Sequence, residues 1–343
     1  MGAKALSVRC FAAAMCASAW LTPTPGAPTP GALGASGRTL ATAPLAASSK
    51  LEAPRGPSNA APSMARPCGV AAGKPKVDEV LLIWEENHSY SSVIGNPAAP
   101  EVNRLARLCG SAVDYTAVTH PSLPNYMSMT SGLSYAYSPW DSDCSPYGNC
   151  TTRAPSIFSE LEASGKSWRS YAESMTSNCS LATYGTYAAR HNPAVYYTSL
   201  RSQCRRWDQP LGTTTQGPLH TALLQGPSAG LTTVTPNVEH DMHNGTVGEA
   251  DAWLAQWVPQ ILRSPAYRSG RLAVVIAWDE GFGSGNEPSS APLLVLSVYT
   301  HPGTKASLPL DDYSVLRSVS ELTGVKPLGL AARATSFVQA FNL

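Results

Sequence analysis

Charge is scarce in this sequence. Only 14% of its 343 residues are charged, and 24 Lys and Arg stand against 23 Asp and Glu, for a net charge of +1. Neither sign gathers into a tract, so the basic footprint of a nucleic-acid binder is missing and no nucleic-acid partner is expected. Long apolar runs are missing too. The stretch from Cys10 to Leu21 (CFAAAMCASAWL) is interrupted by Pro23 and Pro25 and falls short of the roughly 20 residues that span a bilayer. No transmembrane segment is expected further on. No two cysteines have CxxC spacing, which argues against a zinc knuckle, and no internal repeat is found.

What is present begins with Lys4 and Arg9 ahead of that short apolar stretch, the pattern of a secretory signal peptide over residues 1–27. Residues 28–76 are mainly Pro, Ala, Gly, Ser and Thr, with too little apolar surface to pack, and read as a disordered linker. Residues 77–343 are long enough to bury a large core as one domain. Eight cysteines less Cys10 and Cys16 leave six, an even number that suits disulfides in an oxidising compartment and hence a secreted protein. Fifteen pairings are open; a bridge from Cys144 or Cys150 to Cys179 or Cys204 would tie down the loop-rich middle.

Two stretches share one grammar. Val80 to Trp84 run apolar into Glu85, Glu86 and Asn87, and Leu272 to Trp278 run apolar into Asp279, Glu280 and Gly281. Each reads as a strand buried on both faces that ends in acids, where open α/β sheets place their ligands. Acids at one strand end commonly do no more than solubilise it; two such ends suit a shared hard cation held by carboxylate and amide oxygens. From the first of them onward, helical and strand patterns alternate: a helix over 99–110, strands over 113–118 and 167–171, a short strand over 233–238, a helix over 248–262 that Pro259 bends or ends early, and, past the second, a strand over 292–299 and a last helix over 314–322. The alternation predicts an α/β fold with a central, mostly parallel sheet flanked by helices.

Thr119 to Tyr126 (THPSLPNY) carries a strand through a Pro-punctuated loop into a helix, with Ser122 at its start. A serine there is commonly an N-cap; beside a bound cation its hydroxyl becomes a nucleophile. His191 in YAARHNPAVYY and the His240, Asp241 and His243 cluster in EHDMHNG are further candidates, each set after a predicted strand or beside an aromatic loop.

The blocks WEENHSY, THPSLPNYMSMTSG, YAARHNPAVYY, PNVEHDMHNG and AWDEGFGSGNEPSSAPLLVL occur in one order from about residue 77 to the end. In that order the chain resembles the secreted bacterial and fungal phosphoesterases: acid phosphatases, phosphatidylinositol 3-phosphatases and phospholipase C enzymes of the alkaline phosphatase-like superfamily. The resemblance implies a metal-dependent phosphomonoesterase acting on a phosphate monoester or a phosphoinositide, with membrane-surface contact where the substrate is a lipid. It implies metal ligation by Glu86, Asn87, Asp241, Asp279 and Glu280, a phosphoserine formed on Ser122, phosphoryl contacts from Asn125, and phosphate binding or leaving-group protonation by His191, His240 and His243. Superfamily members with two zinc ions carry more histidine ligands than are found here, and a Glu and Asn pair suits Ca²⁺, Mg²⁺ or Mn²⁺ better than Zn²⁺. The alternatives are a phospholipase C-type phosphodiesterase and an inactive secreted phospholipid-binding protein.

Overall fold

The computed structural model describes residues 61–136, 140–226, 229–283 and 288–343. The expected signal peptide and residues 28–60 of the expected linker lie outside them. Eleven strands are described: β1 (Glu79–Glu85), β2 (Gly110–Ala112), β3 (Tyr115–Ala117), β4 (Ser167–Ala172), β5 (Asp208–Pro210), β6 (Ala229–Thr235), β7 (Leu272–Trp278), β8 (Ser289–Ser290), β9 (Leu293–Leu296), β10 (Thr304–Ala306) and β11 (Leu310–Asp311). Eight form the central sheet in the order β10-β2-β9-β7-β1-β6-β4-β5, and β11-β3-β8 make a small second sheet.

Sequence pattern explains the centre. β1 and β7 are apolar without alternation, the pattern of strands covered on both faces, and every residue of both is buried. They pair in parallel, Val80 with Ala273 through Glu85 with Trp278. On its other side β1 pairs in parallel with β6, and β4 with β6 and β5 extend the parallel set. The expected mostly parallel α/β sheet is therefore what forms, with β9 running antiparallel to both β7 and β2.

Several boundaries differ from the sequence reading. β6 ends at Thr235 because Pro236 has no N–H for the ladder, so the strand lies ahead of the expected 233–238. Pro259 neither ends nor shortens its helix, which runs Val247–Arg263; burial of Trp253, Trp257 and Ile261 on one face outweighs the lost hydrogen bond. The cysteines pair locally, Cys68 with Cys109, Cys144 with Cys150 and Cys179 with Cys204, which overturns the expected cross-link from the 144/150 pair to the 179/204 pair. Packing also reaches back into the expected linker: Cys68 and Val70 are buried, and the Val70 and Ala71 N–H groups donate to the Val298 carbonyl at 2.8 and 2.9 Å.

The helix that starts at Ser122 runs to Ser131 and is buried along its whole length. Gly132 stops it in the left-handed region at φ +68°, where an added Cβ would lie 2.2 Å from the Leu328 carbonyl oxygen. Leu330 N–H donates to the Gly132 carbonyl at 2.8 Å, so the helix end is clamped to the C-terminal segment. Gly132→Ala is expected to cost at least about 2 kcal/mol through the positive φ and the collision, read as a lower melting temperature.

Candidate active site

The two acid-bearing strand tips meet because β1 and β7 are neighbours in register. Asp279 N–H donates to the Glu85 carbonyl at 2.9 Å, carrying the ladder one step past the strands, and Glu86 N–H donates to the Asp241 carbonyl at 2.7 Å. Glu86, Asp279 and Asp241 thus leave the carboxyl edge of the sheet side by side, and all three are fully buried.

The helix at Ser122 supplies the next layer. Ser122 Oγ donates to Glu86 Oε2 at 2.9 Å, and the Tyr126 hydroxyl donates to Glu86 Oε1. Ser122 and Tyr126 are four residues apart on a helix, hence on one face, and that face closes over Glu86. Asn87 Nδ2 donates to Glu280 Oε1 at 3.2 Å, and His120 Nδ1 lies 2.8 Å from Glu280 Oε2. Gly283 makes room for that ring, since a Cβ there would lie 2.5 Å from His120 Nε2.

His191 ends a short 3-10 helix (Ala189–His191) and His243 comes from a turn. His191 Nε2 is 3.3 Å from Glu86 Oε1 and its Nδ1 is 3.1 Å from Asp241 Oδ2, while its ring stacks on Tyr126. The other Asp241 oxygen accepts from the His243 N–H at 2.8 Å. His243 Nε2 lies 3.0 Å from Arg190 Nη2. Arginine only donates, so this nitrogen accepts, and Nδ1 faces Asn244 Oδ1 at 2.8 Å. The turn that presents His243 is closed by Gly245, where a Cβ would overlap the Glu239 carbonyl.

The electrostatics are those of crowded, buried acids. Burial, with Glu86 and Glu280 adding repulsion, pushes Asp279 well above the carboxylate range. Burial and Glu86 push Glu280 up to about 9. Glu86 and Asp241 are each pushed up to about 7, chiefly by burial. Burial lowers His191 to about 4 against the pull of Glu86. Both Asp279 oxygens are buried without a hydrogen-bond partner, which is costly unless a cation takes them. One ligand atom each of Glu86, His191 and His243 lies within 4.8 Å of the others. That group could hold a divalent cation, its two imidazoles suiting transition metals, and the carboxyls of Asp279 and Glu280 at the same sheet edge offer further hard oxygens. A second group, Cys179, Cys204 and Asp208, has its sulfurs joined in a disulfide and offers no thiolate.

Of the expected site residues, Glu86, Asn87, Ser122, His191, Asp241, His243, Asp279 and Glu280 are brought together. Two are not. Asn125 is spent on its own loop, its Oδ1 accepting from Thr119 N–H at 3.1 Å and its Nδ2 donating to the Thr119 carbonyl at 2.9 Å, so it shapes the approach to Ser122 instead of reaching out to a phosphoryl group. His240 turns to Glu173, 2.9 Å away. Tyr126, His120 and Arg190 join the cluster unanticipated; spacing from Ser122 on its helix could have pointed to Tyr126. The mouth is a cavity of about 150 Å³ lined by Asn87, His88, Met242, His243 and Gly281–Gly283. A larger cavity of about 550 Å³, lined by Arg169, Tyr171 and Gln209 among others, gathers none of the expected site residues.

Residues 99–326 match the model of the Phosphoesterase family. The chain is 28% identical over 268 residues to a phosphatidylinositol-3-phosphatase of Mycobacterium tuberculosis, covering 77% of this chain and 83% of that one. It is 25% identical over 270 residues to a phosphate-repressible acid phosphatase of Penicillium chrysogenum and 23% identical over 256 residues to an acid phosphatase of Aspergillus fumigatus. These matches cover 74% and 72% of this chain but only 60% and 55% of the fungal proteins. In fold it is similar to a Vibrio parahaemolyticus protein of the alkaline phosphatase superfamily, with a TM-score of 0.52 and 13% identity over 78% of this chain and 72% of that one.

Proposed function

The chain belongs to the Phosphoesterase family, and on that premise we propose that this hydrolase of phosphoric esters is a cation-dependent phosphomonoesterase with Ser122 as its nucleophile. The observation that carries the reading is one hydroxyl, Ser122 Oγ, at a helix start and 2.9 Å from Glu86, on the same sheet edge as the unpartnered Asp279 carboxylate. Glu86, Asp279, Glu280 and Asn87 would hold the cation, with His191 and His243 in reach. A bound divalent cation would neutralise charge on the phosphoryl oxygens and favour the ionised serine.

The chain's own groups do the rest. Ser122 Oγ attacks phosphorus in line with the departing oxygen, and its proton has an acceptor in Glu86 Oε2. Tyr126 and His191 keep that carboxylate oriented through its other oxygen. The resulting phosphoserine is hydrolysed by water. His243 lines the cavity, and to protonate the leaving alkoxide it must first give up its contact with Arg190. His240 drops out of this role because Glu173 holds it. The three disulfides and the N-terminal sequence support export, and no helix among the described residues is long and apolar enough to cross a membrane.

The substrate we favour is a phosphomonoester, with phosphatidylinositol 3-phosphate first among lipids because the mycobacterial relative carries that name. Turnover of an aryl phosphate, phosphatidylinositol 3-phosphate and phosphatidylcholine, measured before and after chelation and with Mg²⁺, Mn²⁺, Ca²⁺ or Zn²⁺ restored, tests it. Monoester turnover lost on chelation and recovered with a cation is expected. Hydrolysis of phosphatidylcholine alone would move the assignment to a phosphodiesterase, and inactivity on all three whatever the cation would leave a binding protein.

A further inference from the structure

Leu123 follows the nucleophile, and its N–H is one of the free donors at the start of a ten-residue helix. A phosphoryl oxygen on Ser122 would be received there. In the structure this N–H is already taken: it donates to Asp143 Oδ1 at 2.9 Å. The other oxygen of the same carboxylate, Oδ2, lies 3.5 Å from Arg190 Nε. A negatively charged, two-oxygen group is thus held between a helix-start amide and a guanidinium, the donors that phosphate also uses.

The hold on the arginine side is incomplete. Arg190 Nε is buried and makes no hydrogen bond, since 3.5 Å is beyond the usual range, while Nη2 rests on His243. The guanidinium is therefore in the site with a donor left over. Asp143 itself sits at φ +51°, a conformation that a residue other than glycine holds at some cost. The Cys144–Cys150 bridge closes the loop that follows it. Nothing in the fold's core depends on the contact, because the Asp143 side chain is 26% exposed at the rim of the site.

We propose that the Asp143 carboxylate is an internal competitor for the phosphoryl position beside Ser122, displaced from Leu123 N–H and Arg190 when a phosphate group enters. The proposal rests on the Ser122 reading above. Substrate then binds by exchange of one anion for another, and the return of Asp143 helps expel product phosphate.

The test is calorimetric titration of the full-length protein with inorganic phosphate, Mn²⁺ present, for the wild type, Asp143→Ala, Asp143→Asn and Arg190→Gln. Asp143→Ala is expected to bind phosphate on the order of tenfold more tightly, the worth of one charged competitor, with a matching fall in the inhibition constant of phosphate against an aryl phosphate; Asp143→Asn, which loses only the charge, is expected to bind it more tightly by a smaller factor. Arg190→Gln is expected to bind it more weakly. Asp143→Asn guards against misfolding, as its amide oxygen still accepts from Leu123. Unchanged or weaker phosphate binding in the Asp143 variants overturns the proposal, as does loss of Mn²⁺ affinity, which would make Asp143 a cation ligand. Phosphate binding needs no turnover, so a failed Ser122 assignment shows separately, as wild-type activity in Ser122→Ala.

Discussion

Ser122→Ala is expected to lower turnover of an aryl phosphate by at least about a thousandfold, the usual scale for removing a nucleophile, while the protein stays folded and still binds its cation. The fold is expected to survive because Ser122 sits at the first turn of its helix, where alanine is a good helix former. The substitution leaves Glu86 with Tyr126 and His191 as partners, so the carboxylate is not stranded. Cation binding should survive because Asp279 and Glu280 are untouched. Asp279→Ala makes the contrasting case. It should abolish turnover and cation binding together, yet raise the stability of the cation-free protein by removing a buried carboxyl whose oxygens have no hydrogen-bond partner. Rates, cation titrations and melting curves on both variants separate the two roles. Wild-type turnover in Ser122→Ala would end the phosphoserine scheme.

The contrast between Ser122 and its neighbours shows where the sequence could be read and where it could not. The strand tips were readable because one local pattern, an apolar run ending in acids, encodes both burial and position, and two copies of it had to meet once the sheet was parallel. Ser122 was readable through the loop and helix pattern around it. His120, Arg190 and Asp143 were not, because their roles come from contacts with segments far along the chain: His120 with Glu280, Arg190 with His243 and Asp143. No periodicity records such meetings. His240 and His243 differ by three positions and are indistinguishable as a cluster, yet the turn closed at Gly245 sends one to Glu173 and presents the other to the cavity. The disulfides illustrate the same limit, since counting establishes that cysteines pair but not which ones. The two prolines went astray in opposite ways: the strand expected over 233–238 ignored the missing N–H of Pro236, which ends β6 at Thr235, while the end or bend expected at Pro259 left out the packing that carries its helix through to Arg263.

Without its cation the protein is expected to melt at progressively lower temperature as pH rises from 7 to 9, and saturating cation is expected to cancel or reverse that trend. The sign follows from the buried acids. A carboxyl whose folded pKa lies above its unfolded value near 4 stabilises the fold fully at low pH, and that stability is lost as pH rises through the folded value. Glu86 and Asp241 have lost most of it by about 7, as has Asp208, buried beside Asn192, whereas Glu280 goes on losing it up to about 9 and with Asp279, raised further still, carries the fall above 7. His191 works the other way: burial lowers it to about 4, so it favours the fold increasingly as pH rises from about 4 to its unfolded value near 6.5. Below 7 the two effects oppose one another; above 7 the histidine has nothing more to give, and the carboxyls alone set the slope. Each unpaired acid costs up to about 1.4 kcal/mol per pH unit in its window, enough for a fall on the order of 5 °C across two units. The proposed divalent cation would take the ionised acids and remove the penalty, so its binding is expected to expel protons and strengthen with pH. Melting curves in chelator and in excess Mn²⁺, with proton release followed by calorimetry in buffers of different ionisation enthalpy, measure both halves of the linkage. A chelated protein that melts at the same temperature at pH 7 and pH 9, with no proton release on cation binding, would mean that the acids at the sheet edge are not where the cation goes.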